Sequence, residues 1–400
     1  MATSIIDRLE IEAPELARPS SPRGTARTSG ERFYHPELDA LRFFAFLLVF
    51  LHHGFPHDAA FYTAMRVPTF AARLLAGMGA MGAFGVDVFF VLSSYLITEL
   101  LLREKEVCGA VDLRAFYIRR ILRIWPLYFA FIGLAVAMQW FVPGQHVGWG
   151  AGLSFLLLSG NWWLFFKGFP SSVIFPLWSV SIEEQFYLSW PAVVRRVSQR
   201  GMLIAAVAML VVASAARFYL GMHHAWESQV WCNTFARLDP IALGILVALL
   251  LRGEIPKIGW LARVALFVGG LACLGLAGNY WTIKGDPVSL SSLLLGYPVM
   301  ALGSVALLLA VLSRNSPVRG GPLVYLGRIS YGLYVFHILG LMISDYTVHD
   351  QTAWFGRYLL RVSVALAATI AMASVSYYGL ESPFLRLKQK FTHVLSRPGG

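Results

Sequence analysis

The sequence predicts an all-α membrane protein, a polytopic helical bundle of about ten transmembrane helices with one re-entrant or interfacial segment and both termini cytoplasmic. Three observations lead there. The 400 residues are 57% hydrophobic and only 14% charged, whereas soluble chains carry about a quarter charged residues. Apolar runs recur about every 25 to 40 residues from Leu41 to Leu380, with no long polar stretch between them. The basic residues, finally, collect in alternate connections, as they do when Lys and Arg mark cytoplasmic loops.

Along the chain, residues 1–32 are polar and rich in Arg, Ser and Pro and lack a signal-peptide core. They read as a disordered cytoplasmic tail. Residues 33–385 form one transmembrane domain and 386–400 a short basic cytoplasmic tail. A span needs about 20 mainly apolar residues, and the candidates are 38–57, 83–102, 124–142, 152–167, 176–193, 202–219, 238–251, 260–280, 290–312, 322–345 and 357–380. With the N-terminal tail inside, 23 Lys and Arg fall in inner segments and six in outer ones: Arg66, Arg73, Arg217, Arg237, Lys284 and Arg357. Arg42, Lys167, Arg328 and Arg361 lie in or beside spans. Both ends inside demand an even number of crossings, so eleven full spans are excluded. The economical solution is ten, with 152–167 and 176–193 sharing one crossing. The second of these contains Glu183 and Glu184 and is the one expected to face a polar cavity.

The net charge of +11 would suggest nucleic acid in a soluble protein. In a membrane chain it reports basic loops, and no nucleic-acid partner is expected. Cys108, Cys232 and Cys273 are isolated, so they give neither a disulfide framework nor a metal-ligand spacing, and no metal site is expected. No internal repeat of fixed period supports an inverted-repeat transporter.

Charged groups inside spans are costly and mark candidate sites. In the first span Asp39 and Arg42 form an (i, i+3) pair, and His53, eleven residues beyond Arg42, returns to within about 20° of the same helical face. His52 lies about 80° away and fits this stripe less well. An alternative is that Asp39 and Arg42 form an interfacial ion pair and His53 marks the outer boundary. In the second span Asp87 opens an apolar helix, and an arginine of the next cluster, Arg119, Arg120 or Arg123, is its expected partner. Those arginines read either as positive-inside anchors or as a phosphate clamp, since Arg offers paired donors to phosphate oxygens. Ser179, Glu183 and Tyr187 share a face at (i, i+4, i+8), and Ser330, Tyr334 and His337 share one at (i, i+4, i+7). His337 suits a packing role as well as a chemical one. Glu381 and Pro383 look like a helix end.

Read in order, the segments LDALRFFAFLLVFLHH, GVDVFFVLSSYLI, FYIRRILRIWPLY, PLWSVSIEEQFYLSWP, RLDPIALGIL, GRISYGLYVFH and LESPFL resemble the integral-membrane acyltransferase-3 family, which includes bacterial O-acetyltransferases of O-antigen, nodulation factors, peptidoglycan and macrolides. The resemblance runs from Leu38 to Phe384 and implies a core of ten membrane helices in a bacterial plasma membrane. The family's pattern of Arg, ten residues and His falls on Arg42 and His53. Its Phe-x-Arg-Arg element falls on Phe116 to Arg119 with Arg120 just after, one residue longer here. Ser94 stands where the family commonly has Gly. About 17 residues follow Pro383, so no C-terminal esterase-like domain is expected.

The resemblance implies transfer of a short acyl group, acetyl first among them, from cytoplasmic acyl-coenzyme A to a hydroxyl of a glycan or glycosylated acceptor. His53 would be general base or transient acyl carrier. Glu183 would orient it and Asp39 would hold Arg42. Arg42, Arg119, Arg120 and Arg123 would bind the donor, and Asp87, Ser179, Tyr187, Ser330, Tyr334 and His337 would support the substrates. No permanently bound cofactor is expected, and membrane lipid surrounds the bundle. The rival readings are a transporter or flippase of an acyl donor or lipid-linked sugar, and a structural scaffold.

Overall fold

The computed structural model describes residues 34–281, 287–312, 318, 320–348 and 354–392; the N-terminal tail expected over residues 1–32 lies outside them. The described residues form helices and no strand. In chain order these are α1 (Pro36–Gly54), α2 (Ala59–Ala64), α3 (Thr69–Gly82), α4 (Gly85–Cys108), α5 (Leu113–Met138), α6 (Trp149–Leu156), α7 (Gly160–Lys167), α8 (Trp178–Arg196) and α9 (Gln199–Met222). There follow α10 (Glu227–Trp231), α11 (Leu238–Leu251), α12 (Trp260–Tyr280), α13 (Tyr297–Val311), α14 (Pro322–Arg328), α15 (Ser330–Thr347), α16 (Phe355–Ser376) and α17 (Ser382–Gln389).

The helix ends follow local chemistry. Asp112 and Ser198 accept hydrogen bonds from the backbone N–H groups of Ala115 and Gly201 and so start α5 and α9. Pro36 opens α1, where its missing N–H costs nothing, and Gly109 ends α4 in the left-handed region at φ 75°. At the centre of the bundle α4 packs against α1, α8, α11 and α13. Close approach to α11 depends on Gly244, because a Cβ there would run into Val91 and Ser94 of α4.

Among the described residues six helices are long and apolar enough to cross a membrane, or seven if the bent pair α14 and α15 counts as one span. α1 and α8 fall outside that set although each is 19 residues long. The first carries Glu37, Asp39 and Arg42, and the second carries Glu183, Glu184, Arg195 and Arg196.

Three of the expected segments are broken or extended in the structure. The apolar run 152–167 is interrupted: α6 and α7 have eight residues each, about 12 Å at 1.5 Å per residue, and neither is long enough to span. Leu158 sits between them at φ 56°, and Ser159 turns its hydroxyl back onto the Ser154 carbonyl. The run 322–345 bends by 81° between α14 and α15, which lets α14 cross the start of α1. Gly327 makes this possible, since a Cβ there would strike the Asp39 backbone. Glu381 and Pro383 do not end the last span, because a π-helical turn over Tyr377–Glu381 leads directly into α17. Widening the helix just ahead of Pro383 accommodates a residue without an N–H, and a second π turn, Ser292–Gly296, precedes Pro298 in the same way.

The connections that the charge count assigns to the inside lie together on one face. Lys105 donates to the Val194 and Val197 carbonyls, Arg103 to Gly253, Arg263 to Leu312 and Arg119 to Phe391. Tyr34 and Lys388 line one cavity on that face, so the two ends of the described chain meet there. Two of the six arginines and lysines counted as outside are not loop residues: Arg217 and Arg237 are enclosed in the bundle, at 1% and 0% exposure.

Candidate active site

The bundle contains a cavity with several charged side chains on the face that gathers the ends of the described chain, and a second hollow toward the opposite face. α1 contributes Asp39 and Arg42 to the inner cavity, α4 Ser93, α5 Arg120 and Arg123, α8 Ser179, Glu183 and Tyr187, α15 Ser330 and Tyr334, and α17 Lys388. The outer hollow is lined by His52, His53, His57, Phe61, Tyr358 and Arg361.

Helical phase explains most of the inner wall. Asp39, fully buried, holds the Arg42 guanidinium at 2.5 Å and accepts a hydrogen bond from the Tyr34 hydroxyl at 3.1 Å. Ser179, Glu183 and Tyr187 all reach the cavity from one face of α8, as their spacing predicts. The adjacent acid Glu184 points elsewhere and accepts from the Trp125 indole N–H at 3.1 Å. Arg120 lies 5.4 Å from the Tyr187 ring and 5.5 Å from that of Phe116, so aromatic faces carry part of its burial. Four cationic side chains, Arg42, Arg120, Arg123 and Lys388, share this cavity with two acidic ones, Asp39 and Glu183. The balance favours an anionic ligand.

His53 sits on the other side of a thin layer. Its Nδ1 is 3.0 Å from the Val49 carbonyl and 3.3 Å from Nε2 of the fully buried His337. Below His337, the Tyr334 hydroxyl meets the Ser179 hydroxyl at 2.7 Å and donates to the Pro176 carbonyl at 2.9 Å. Phe175 closes the layer, with its ring 5.7 Å from that of His53. Ser179 and Tyr334 therefore face the inner cavity, His53 faces the outer hollow, and His337 lies between them.

The expected partnerships change in three places. Glu183 is not brought to His53; it lines the inner cavity, and His337 occupies the partner position. Asp87 does not pair with an arginine of the third cluster. It binds Arg237 at 2.7 Å, both side chains are enclosed, and Asp87 lines neither hollow. Arg119 belongs to the framework, bound to Glu104 at 2.6 Å and to the Phe391 carbonyl at 2.7 Å, and does not line the cavity. Ser94, the departure from the family pattern, faces α11 away from the cavity.

The outer hollow contains His57, Tyr358 and Arg361, which the sequence does not mark as site residues, and His52, which helical phase set aside. His52 reaches it with its Nδ1 2.9 Å from the Gly79 carbonyl, and its ring stacks on His57 at 4.4 Å. Arg361 binds Asp345 at 2.5 Å, and both it and the Tyr358 hydroxyl donate to the Gly54 carbonyl next to His53. Helical phase on α1 gives no access to His57, Tyr358 or Arg361, because the helix ends at Gly54 and α16 lies about three hundred residues further on.

Comparison with known proteins gives the family. The acyltransferase-3 family, described as an acyltransferase domain, matches residues 35–380. A Bacillus subtilis (strain 168) protein named "Putative peptidoglycan O-acetyltransferase YrhL" is 29% identical over 378 residues, covering 88% of this chain and 55% of its own length. The O-acetyltransferase OatA of Staphylococcus aureus (strain NCTC 8325 / PS 47) is 26% identical over 374 residues, covering 88% of this chain and 57% of its own. The chain thus spans little more than half the length of these relatives. No solved structure matches it.

Proposed function

The chain belongs to the acyltransferase-3 family, and we propose that it is a membrane O-acyltransferase that moves a short acyl group, acetyl first among them, from cytoplasmic acyl-coenzyme A to a hydroxyl of a glycan or glycosylated acceptor. The observation that carries this reading is the histidine layer: His53 and His337 lie between a cation-rich inner cavity and a histidine-lined outer hollow. The donor's phosphates suit Arg42, Arg120, Arg123 and Lys388, which offer charge-assisted donors. Its thioester would then extend past Ser179 and Tyr334 toward His53, while the acceptor enters from the outer hollow.

In the transfer, His53 takes the proton of the acceptor hydroxyl. The freed oxygen bonds to the thioester carbonyl carbon, the carbon–sulfur bond breaks, and the departing coenzyme A sulfur takes the proton from the imidazolium. Where the two substrates do not meet, the same imidazole carries the acyl group from one to the other. Ten crossings with both termini cytoplasmic, in the plasma membrane of a bacterium, fit the gathering of the basic loops and of both ends of the described chain on one face.

The test is acceptor-dependent release of coenzyme A by the purified protein supplied with acetyl-coenzyme A and bacterial surface-glycan fragments. A folded His53→Ala variant is expected to lose about 10²- to 10⁴-fold in turnover. Normal turnover by that variant would overturn the assignment, and coenzyme A release that ignores the acceptor would remove acyl transfer to a glycan.

A further inference from the structure

We propose that His337 is the positioning residue of this site and fixes the proton on His53. The inference rests on the reading that His53 acts in acyl transfer, and it assigns which imidazole nitrogen does so. Two backbone carbonyls decide the matter. Nδ1 of His337 is hydrogen-bonded to the Tyr334 carbonyl, and a carbonyl oxygen only accepts, so that nitrogen carries the hydrogen. In a neutral imidazole the other nitrogen is then a lone pair, and Nε2 of His337 is an acceptor.

That acceptor lies 3.3 Å from Nδ1 of His53, which is also 3.0 Å from the Val49 carbonyl. Both neighbours of Nδ1 are acceptors, so it holds the hydrogen and shares it between them in a three-centre bond. The lone pair of His53 is consequently on Nε2. The opposite tautomers would leave two ring lone pairs facing two carbonyl oxygens in a buried site, with neither bond made. When Nε2 takes a proton from the acceptor, the charge that develops on the ring is met by the Nε2 lone pair of His337 and the Val49 carbonyl. An acidic partner such as Glu183 is therefore not required beside His53.

The arrangement also gives the polar residues Ser330, Tyr334 and His337 in the first half of α15 a common role. Ser330 and Tyr334 face the donor cavity, and the third residue reaches one layer further to His53.

Three substitutions separate this role from packing. Gln places an acceptor oxygen where Nε2 of His337 lies. Asn keeps a donor near Nδ1 but offers nothing to His53, and Leu removes both. His337→Leu and His337→Asn are expected to lower kcat about 10- to 100-fold, the range found when the group orienting a metal-bound histidine is lost. The KM for acetyl-coenzyme A is expected to stay unchanged, because His337 does not line the donor cavity. His337→Gln is expected to recover most of the rate. Equal impairment in all three variants, or a fall that follows thermal stability across them, would overturn the proposal in favour of packing. An inactive His53→Ala beside a fully active His337→Leu would overturn it while leaving the acyl-transfer reading intact; an active His53→Ala would remove that reading itself.

Discussion

Arg42 and Arg237 both lie inside the bundle and both bind an aspartate, yet their surroundings differ. Arg42 is held by Asp39 on the wall of the inner cavity, with Arg120, Arg123 and Glu183 on the facing helices. Arg237 is held by Asp87, and the pair lines neither of the two hollows described above. The Trp231 ring lies 4.6 Å from its guanidinium and Tyr297 5.1 Å, and a second ion pair, Arg217 to Asp239 at 3.0 Å, stands next to it. A charge within a membrane bundle needs a partner or a cavity. In one region the charges line a hollow that a ligand can enter; in the other opposite charges neutralise one another inside the bundle, although Asp87 Oδ2 and Arg237 Nε and Nη1 make no hydrogen bond there.

The comparison breaks most readily at Arg237. Removing one member of an enclosed pair strands the other charge, a loss of about 3–5 kcal/mol. Arg237→Met is therefore expected to lower the thermal transition of the detergent-solubilised protein steeply, and the double change Asp87→Leu with Arg237→Met to recover most of it. A double variant that is fully stable but inactive would instead make this quartet part of the site. Arg120→Met should do the reverse. It leaves the transition nearly in place and raises the KM for acetyl-coenzyme A about 10- to 100-fold, corresponding to roughly 1.5–3 kcal/mol for hydrogen bonds to a charged group. A shift in stability without a change in KM would place Arg120 with Arg237. The smallest effect is expected at Ser94, whose hydroxyl bonds only carbonyls of its own helix, Phe90 and Val91. Ser94→Gly should leave turnover unchanged and cost about 0.5–1 kcal/mol through the flexibility of glycine in a helix; altered acyl-donor kinetics would show that the α4–α11 contact reaches the cavity.

Much of the inner wall was legible because it is local. Asp39 with Arg42, and Ser179 with Glu183 and Tyr187, lie on single helices whose 3.6-residue period fixes which side chains share a face. The helices that carry these groups are also the ones too charged to pass as ordinary spans, so a weak hydropathy signal in α1 and α8 was itself a sign of the cavity. Partnerships between helices were not legible. Asp87 finds Arg237 across 150 positions, and His53 finds His337 across 284. Nothing in the spacing of either residue encodes the other. The same limit misassigned Arg217 and Arg237 to outer loops, since a count of positive charge treats every arginine near a span end alike.

The sequence by itself determined the membrane class, that the basic loops share one face, and the faces of α1, α8 and α15 that carry polar groups. These follow from composition and helical period, which act over one or two turns. Only the tertiary structure decided which charges face a hollow and which are sealed in ion pairs, and that a histidine rather than an acid stands beside His53. Those choices depend on how helices far apart in the chain cross, and crossing is set by contacts such as Gly244 on α4 and Gly327 on α1, where a missing side chain lets two backbones meet.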